Sequence, residues 1–239
     1  MPATERPSER RSAIRTAVVW DALRPVLDAG PLDVLDIGGG TGGSAVAIAE
    51  RGHRVTVVDP SPDALASLAR RARERGVEVA AVQGDLSTTL DVLGADGADL
   101  VLCHGVLEVV DDPGTALDTL RAVVRDGGAL SLLVAQRHAA VLARAMAGHF
   151  VAAREALDPG AAPDRAGRRF THDELDGLVA AAGFADRELH AVRVFADLVP
   201  GALLDAEPGA TSALLDLERA VASRPEYLPL ATQLHLLAR

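Results

Sequence analysis

Apolar residues recur along this chain with two alternating periods. Ile14, Val18, Val19, Leu23, Val26 and Leu27 fall at helical spacing within residues 8–28, with Arg10, Arg11 and Arg15 on other faces, so a helix precedes everything else. Leu32 to Ile37 then reads as a short strand cut off by glycines, and Ser44 to Arg51 resumes helical spacing until Gly52 stops it. The succession repeats. Arg54–Val58 is rich in β-branched residues, and Ser61 and Pro62 open a helix that ends at Gly76. A strand over 77–82, a short helix over 86–93, a strand over 98–103, a helix over 113–124 and a strand over 129–135 follow.

Mostly apolar strands separated by helices predict a parallel sheet covered on both faces, an α/β, Rossmann-like, doubly wound fold. Past Gln136 the pattern loosens into a helix over 138–148, a polar stretch over 158–169 holding Arg165, Arg168 and Arg169, and a helix over 171–182. A strand over 188–195, a helix over 211–222 and a last strand over 228–237 complete the chain. The expectation is one domain over residues 1–239 with a seven-stranded, mostly parallel sheet. Its core takes in about 30–136, 171–195 and 228–239, while 137–170 and 196–227 form a helical cap over the strand ends.

Composition narrows the chemistry. All 24 basic residues are arginine, and the absence of lysine removes Schiff-base catalysis, a lysine general base and a Walker A phosphate loop. Cys103 is the only cysteine, which rules out an intramolecular disulfide and thiolate metal clusters. A net charge of −10 disfavours non-specific coating of nucleic acid but leaves room for a local arginine-lined groove. No apolar run approaches a membrane span and the polar start lacks a signal-peptide core, so the cytoplasm is the expected compartment.

Ligands of a doubly wound sheet bind beyond the carboxyl ends of its strands, and every informative motif lies on such a loop. Gly38-Gly39-Gly40-Thr41-Gly42-Gly43 follows the first strand, where missing side chains let backbone amides approach a ligand. Asp59, before Pro60, closes the second strand about twenty residues on, where a carboxylate can accept from ribose hydroxyls; capping the next helix is its structural alternative. The glycines fit both a Gly-x-Gly-x-Gly turn and the dinucleotide fingerprint, so spacing alone leaves a nicotinamide cofactor open. Asp85 and Leu86 after the third strand suit an adenine edge, and His104 after the fourth sits where the ligand's reactive end would be. Glu108, Asp111 and Asp112 fit a helix start better than a metal site, and no metal is expected.

These four motifs, in this order, resemble the class I methyltransferases over roughly residues 30–135, with Arg125-Asp126-Gly127-Gly128 similar to the family's turn before the fifth strand. The resemblance implies S-adenosylmethionine as cofactor. Asp36, Gly38, Gly39 and Gly40 would hold its amino-acid part, Asp59 its ribose, and Asp85 and Leu86 its adenine. Arg15 with Trp20, Glu50–His53, His104–Glu108, Gly148–Phe150, Val192–Phe195, Glu226-Tyr227 and His235 look like one branch, the bacterial tRNA 5-carboxymethoxyuridine methyltransferases. That branch implies methylation of a wobble-uridine carboxylate in the tRNA anticodon stem-loop, with Arg15 pairing with the cofactor carboxylate and His104 touching the cofactor.

Transfer to an ionised carboxylate needs alignment and exclusion of water rather than a base, and a guanidinium fork holds a carboxylate plane. Arg193 is the first candidate for that role, its structural alternative being a surface ion pair; His138 and Tyr227 are further acceptor-pocket candidates. The chain departs from the branch between Leu157 and Thr171, where it is less basic, and at Thr232-Gln233, where an arginine-tyrosine pair is expected. A small-molecule acceptor under the cap is therefore the alternative substrate class.

Overall fold

The structure is a computed structural model that describes residues 7–158 and 167–239. Arg165 lies outside the described residues. The sheet has seven strands in the order β3-β2-β1-β4-β5-β7-β6. They are β1 Asp33–Ile37, β2 Arg54–Asp59, β3 Ala80–Gln83, β4 Ala98–His104, β5 Val124–Ala135, β6 Arg187–Val192 and β7 Gln233–Ala238. β1 pairs in parallel with β2 and β4, as do β2 with β3 and β4 with β5. Strand order reverses beside β1, so the connections leaving the paired strands β1 and β4 run to opposite sides, the place where a crevice forms beyond the carboxyl ends.

Helices α1 Pro7–Leu27, α2 Gly43–Ala49, α3 Pro62–Arg75, α4 Thr89–Leu93, α5 Pro113–Val123, α6 Arg137–Met146, α7 Phe150–Glu155, α8 His172–Ala181, α9 Gly201–Ala206 and α10 Ala210–Val221 make up the helical part. Among the described residues no helix is long and apolar enough to cross a membrane. The chain clusters into two compact units, one of residues 1–22, 135–174 and 189–235, the other of 23–134, 175–188 and 236–239.

The second unit holds the larger core. Leu35, Ile37, Leu100, Leu102, Leu117, Leu120, Leu130 and Leu132 are fully buried there, each contributing about 1.5–3 kcal/mol of transfer free energy. Local signals fix the helix starts. Ser61 Oγ accepts from the Ala64 amide at 3.2 Å ahead of Pro62, and Asp112 accepts from the Gly114 amide at 2.8 Å ahead of Pro113. Asp63 in the first turn of α3 and Arg73 and Arg75 in its last turn complement the helix dipole, and Gly76 closes it in a left-handed conformation.

At the amino ends of the strands, Arg125 bridges Asp33 and Asp99 at 3.0 and 2.8 Å. Arg54 holds the other Asp33 oxygen, and hydrogen bonding from Arg54 outweighs desolvation to bring the Asp33 carboxyl down to about 2, with Arg125 adding to the effect. A depressed carboxyl stabilises the fold above its ordinary value of 3.8, and that stability is lost as pH falls through about 2. Carboxyl NMR titration of Arg54→Ala is therefore expected to move the Asp33 midpoint upward; an unmoved midpoint would refute the pairing.

Several element boundaries differ from the sequence expectation, each for a local reason. The Arg125–Gly128 turn is absorbed into β5, where the ladder passes from Ala98 opposite Val124 to Leu100 opposite Ala129. β6 ends at Val192 rather than 195 because Arg193 takes a left-handed φ of 62°. Pro225 and Pro229 hold Pro225–Leu230 in a 3-10 helix, so β7 starts at Gln233 rather than 228. β3 begins only at Ala80, and the short helices α7 and α9 have no counterpart in the sequence reading.

Candidate active site

Asp36 lies on β1, one residue before its end, and is almost fully buried. No side-chain hydrogen bond to it is seen among the described residues. Burial first, and the neighbouring Asp59 second, push its carboxyl up to about 7. Gly39 covers it so closely that a Cβ there would lie 2.7 Å from Asp36 Oδ2. The turn then folds onto β2: the Gly40 amide donates to Asp59 Oδ2 at 2.9 Å, while Asp59 Oδ1 accepts from the Ser61 amide at 2.9 Å. Asp59 thus ties the glycine turn to the residue before α3, while the capping that was its structural alternative is done by Ser61.

The carboxyl ends of β1, β2, β3 and β4 enclose a cleft of about 550 Å³, within the usual range for a small-molecule site. Gly38, Asp59, Pro60, Asp85, Leu86 and His104 line it together with Val106, Val109 and Asp111. Asp85 Oδ1 accepts from the Ser87 hydroxyl and from the amides of Ser87 and Thr88, which holds the carboxyl below its usual range and fixes the 3-10 turn Leu86–Thr88. His104 Nε2 sits 2.8 Å from the hydroxyl of fully buried Ser131 on β5, so one ring nitrogen is anchored in the sheet. Asp36, Gly39 and Gly40 do not line the cleft themselves: Gly39 covers Asp36, and the Gly40 amide donates to Asp59, which does line it. Among the described residues no group of three or more His, Cys, Asp or Glu is placed to hold a metal ion.

Arg15, Arg193, Tyr227 and His138 belong to the other unit. Arg15 keeps solvent contact along part of its side chain, yet desolvation and then repulsion from Arg193 lower its pKa, so the two guanidinium groups are neighbours. Arg193 Nη2 pairs with Asp197, whose Oδ2 also accepts from the Thr232 hydroxyl at 2.7 Å. Its Nε is enclosed and meets no acceptor among the described residues. The ion pair is half-buried rather than superficial, with side-chain exposures of 21% and 24%. Tyr227 packs edge-on against Phe195 at 5.9 Å between centroids. His138 is exposed, its Nδ1 3.3 Å from Gln136 Nε2, and Gln136 caps α6 by accepting from the Ala139 amide. Ser131, Asp197 and Glu218 support these residues but escape sequence reasoning, since each is an isolated polar residue whose partner is distant in sequence or on a turn that no pattern marks.

A Gly-rich turn over a buried carboxylate, a second carboxylate closing the next strand and a cleft beyond the strand ends define a nucleoside-binding α/β enzyme. Comparison with known proteins carries this to a family. A model described as a methyltransferase domain matches residues 34–128. The chain is 30% identical over 243 aligned positions to the tRNA 5-carboxymethoxyuridine methyltransferase of Escherichia coli (strain K12), spanning 96% of this chain and 89% of that protein. It is 34% identical over 120 residues to a ubiquinone biosynthesis O-methyltransferase of Caulobacter vibrioides, covering 49% of this chain and 46% of the relative. The Burkholderia thailandensis 1,6-didemethyltoxoflavin-N1-methyltransferase, solved with 1,6-didemethyltoxoflavin and S-adenosylhomocysteine, matches 96% of this chain and 78% of its own at 26% identity with a TM-score of 0.58. The chain belongs to the class I S-adenosylmethionine-dependent methyltransferases. Its cofactor is S-adenosylmethionine, and the nicotinamide alternative falls.

Proposed function

We propose that the enzyme methylates a carboxylate, with 5-carboxymethoxyuridine or a close analogue at the tRNA wobble position as acceptor. The observation that carries the reading is the pair of neighbouring guanidinium groups, Arg15 and Arg193, the latter with an enclosed Nε that lacks an acceptor. Two cations that repel each other suit an incoming anion, which relieves the repulsion. The similarity to the E. coli tRNA enzyme, which extends over 96% of this chain, supports the tRNA acceptor.

The cofactor fits the cleft on its own terms. Asp36 and Asp59 repel each other, a conflict that the ammonium of an amino-acid ligand relieves. In this assignment Asp36 and the amides of Gly38, Gly39 and Gly40 hold the amino-acid part, Asp59 and Pro60 the ribose, and Asp85 and Leu86 the adenine. Arg15 takes the cofactor carboxylate and His104 borders its reactive end. When bound, S-adenosylmethionine supplies an electrophilic methyl group. A carboxylate acceptor has no proton to lose, so the protein's part is to hold the carboxylate plane with Arg193 and keep water out, with His138 and Tyr227 as further pocket residues.

The test uses tRNA from a strain lacking the gene, incubated with enzyme and cofactor and digested for nucleoside mass spectrometry. One wobble nucleoside is expected to gain a methyl group, and Arg193→Lys to lower kcat/KM about tenfold or more, since a point ammonium replaces a fork. No change in any wobble nucleoside would sink the tRNA acceptor. A metabolite acceptor is the second reading, favoured by the net charge of −10.

A further inference from the structure

Arg193 owes its position to a buried carboxylate on another element. Glu218, on α10, is fully buried. Its Oε2 accepts from the Val194 amide at 2.9 Å, and its Oε1 from the amides of Phe195 and Ala196 at 2.9 and 2.8 Å. Three consecutive amides turned toward one side chain form a concave nest that has no partner in a sheet ladder. The nest begins immediately after Arg193, whose left-handed φ of 62° breaks β6 and turns the chain. That conformation costs an arginine about 1–2 kcal/mol and persists only where its surroundings enforce it. Two further contacts complete the frame: the Thr232 amide donates to the Arg193 carbonyl at 3.2 Å, and Asp197 holds one guanidinium nitrogen. Ile14, Ala196 and Leu214 pack together in a small apolar core against which Phe195 also packs, so two residues of the turn are held by apolar contacts as well.

We propose that Glu218 is a positioning residue for the methyl acceptor: by gripping the amides of residues 194–196 it holds Arg193 in its strained conformation and so sets the guanidinium that meets the acceptor carboxylate. The inference rests on the reading of Arg193 as carboxylate holder. Glu218 touches neither substrate nor cofactor. Its effect is geometric, and glutamine cannot reproduce it, because a carboxamide offers one acceptor oxygen to three amides and turns its own N–H groups toward the remainder.

The test compares Glu218→Gln with the wild type and with Leu214→Ala, a cavity variant in the same core. In Glu218→Gln the Nε–H of Arg193, followed by proton–nitrogen NMR, is expected to shift and lose its protection against hydrogen exchange. With undermethylated tRNA as substrate, KM for tRNA is expected to rise about tenfold or more, while the cofactor Kd stays within about threefold. Leu214→Ala, with a comparable loss of melting temperature, is expected to leave the Nε–H signal and KM near wild type. If Glu218→Gln does not fold, Glu218→Asp, which keeps the charge but withdraws it by one methylene, is measured in the same way. An unmoved Nε–H signal, or an equal KM increase in Leu214→Ala, overturns the proposal. A wild type inactive on this tRNA overturns the acceptor reading instead, and the NMR comparison still decides whether Glu218 sets Arg193.

Discussion

An Asp36→Asn variant is expected to be more stable than the wild type without cofactor and to bind the cofactor far more weakly. The Asp36 carboxyl is buried beside Asp59, and its pKa stands at about 7 instead of 3.8. For an acid whose folded value is raised, the folded chain holds more protons than the unfolded chain between these two values, so stability falls as pH rises from about 4 to 7. Above pH 7 the full penalty applies, on the order of 4 kcal/mol at about 1.4 kcal/mol per tenfold. An amide of the same shape escapes it and retains a smaller desolvation cost. A net gain of about 2 kcal/mol is expected at pH 8, raising the melting temperature by roughly 5 °C in a chain of this size. The gain should shrink as pH falls from about 7 and vanish only below about 4, where Asp36 is neutral in both the folded and the unfolded chain.

The same charge is what a ligand's ammonium requires. With cofactor at about a hundredfold its Kd, the wild type gains roughly 2.7 kcal/mol of stability by mass action, and a variant whose Kd is weakened about tenfold or more gains about half of that or less. Calorimetric titration should show Kd weakened at least about tenfold by Asp36→Asn. Wild-type affinity should fall as pH drops below about 7 and the carboxyl takes up its proton. A variant less stable than the wild type at pH 8 with affinity unchanged would overturn both the burial penalty and the assignment of Asp36.

What the sequence discloses follows the range of the forces involved. β1, β2 and β4 could be read because strands buried on both faces must be apolar, and the caps at Ser61 and Asp112 act within three residues of themselves. The cleft residues Gly38, Asp59, Asp85 and His104 were legible for a related reason, since parallel strands deliver the loops after each strand to one end. The turn at Arg193 was not. Strand-like apolar spacing runs through Val194, and the partner that reverses the chain, Glu218, lies more than twenty residues away on a helix whose apolar spacing marks Glu218 only as one more polar position. Helices α7 and α9 are six residues each, too short for periodicity to separate from a loop.

Within the glycine turn itself, Gly42→Ala and Gly40→Ala are expected to fail in opposite ways. Both positions have positive φ, 75° and 56°, so an alanine at either costs about 1–2 kcal/mol of backbone strain. At Gly42 the new Cβ would lie 2.1 Å from Leu68 Cδ1, a fully buried side chain on α3, and the core must shift to admit it. Overpacking adds about 1–3 kcal/mol, for a total loss of about 3 kcal/mol and a melting temperature lower by roughly 9 °C. At Gly40 no atom comes closer than 3.9 Å, so the fold loses only the strain, yet the methyl group stands 4.0 Å from Asp59 Oδ2, where the ribose would approach. Gly40→Ala should therefore melt within a few degrees of wild type and lose at least about tenfold in cofactor affinity. Leu68→Ala introduced into Gly42→Ala gives the methyl group room and should recover part of the overpacking loss, a coupling expected only for residues in contact. Equal melting temperatures and equal affinities for the two single variants would show that the turn serves one purpose throughout. The crossed pattern instead separates the glycine that α3 packs against from the glycine that leaves space for the ligand.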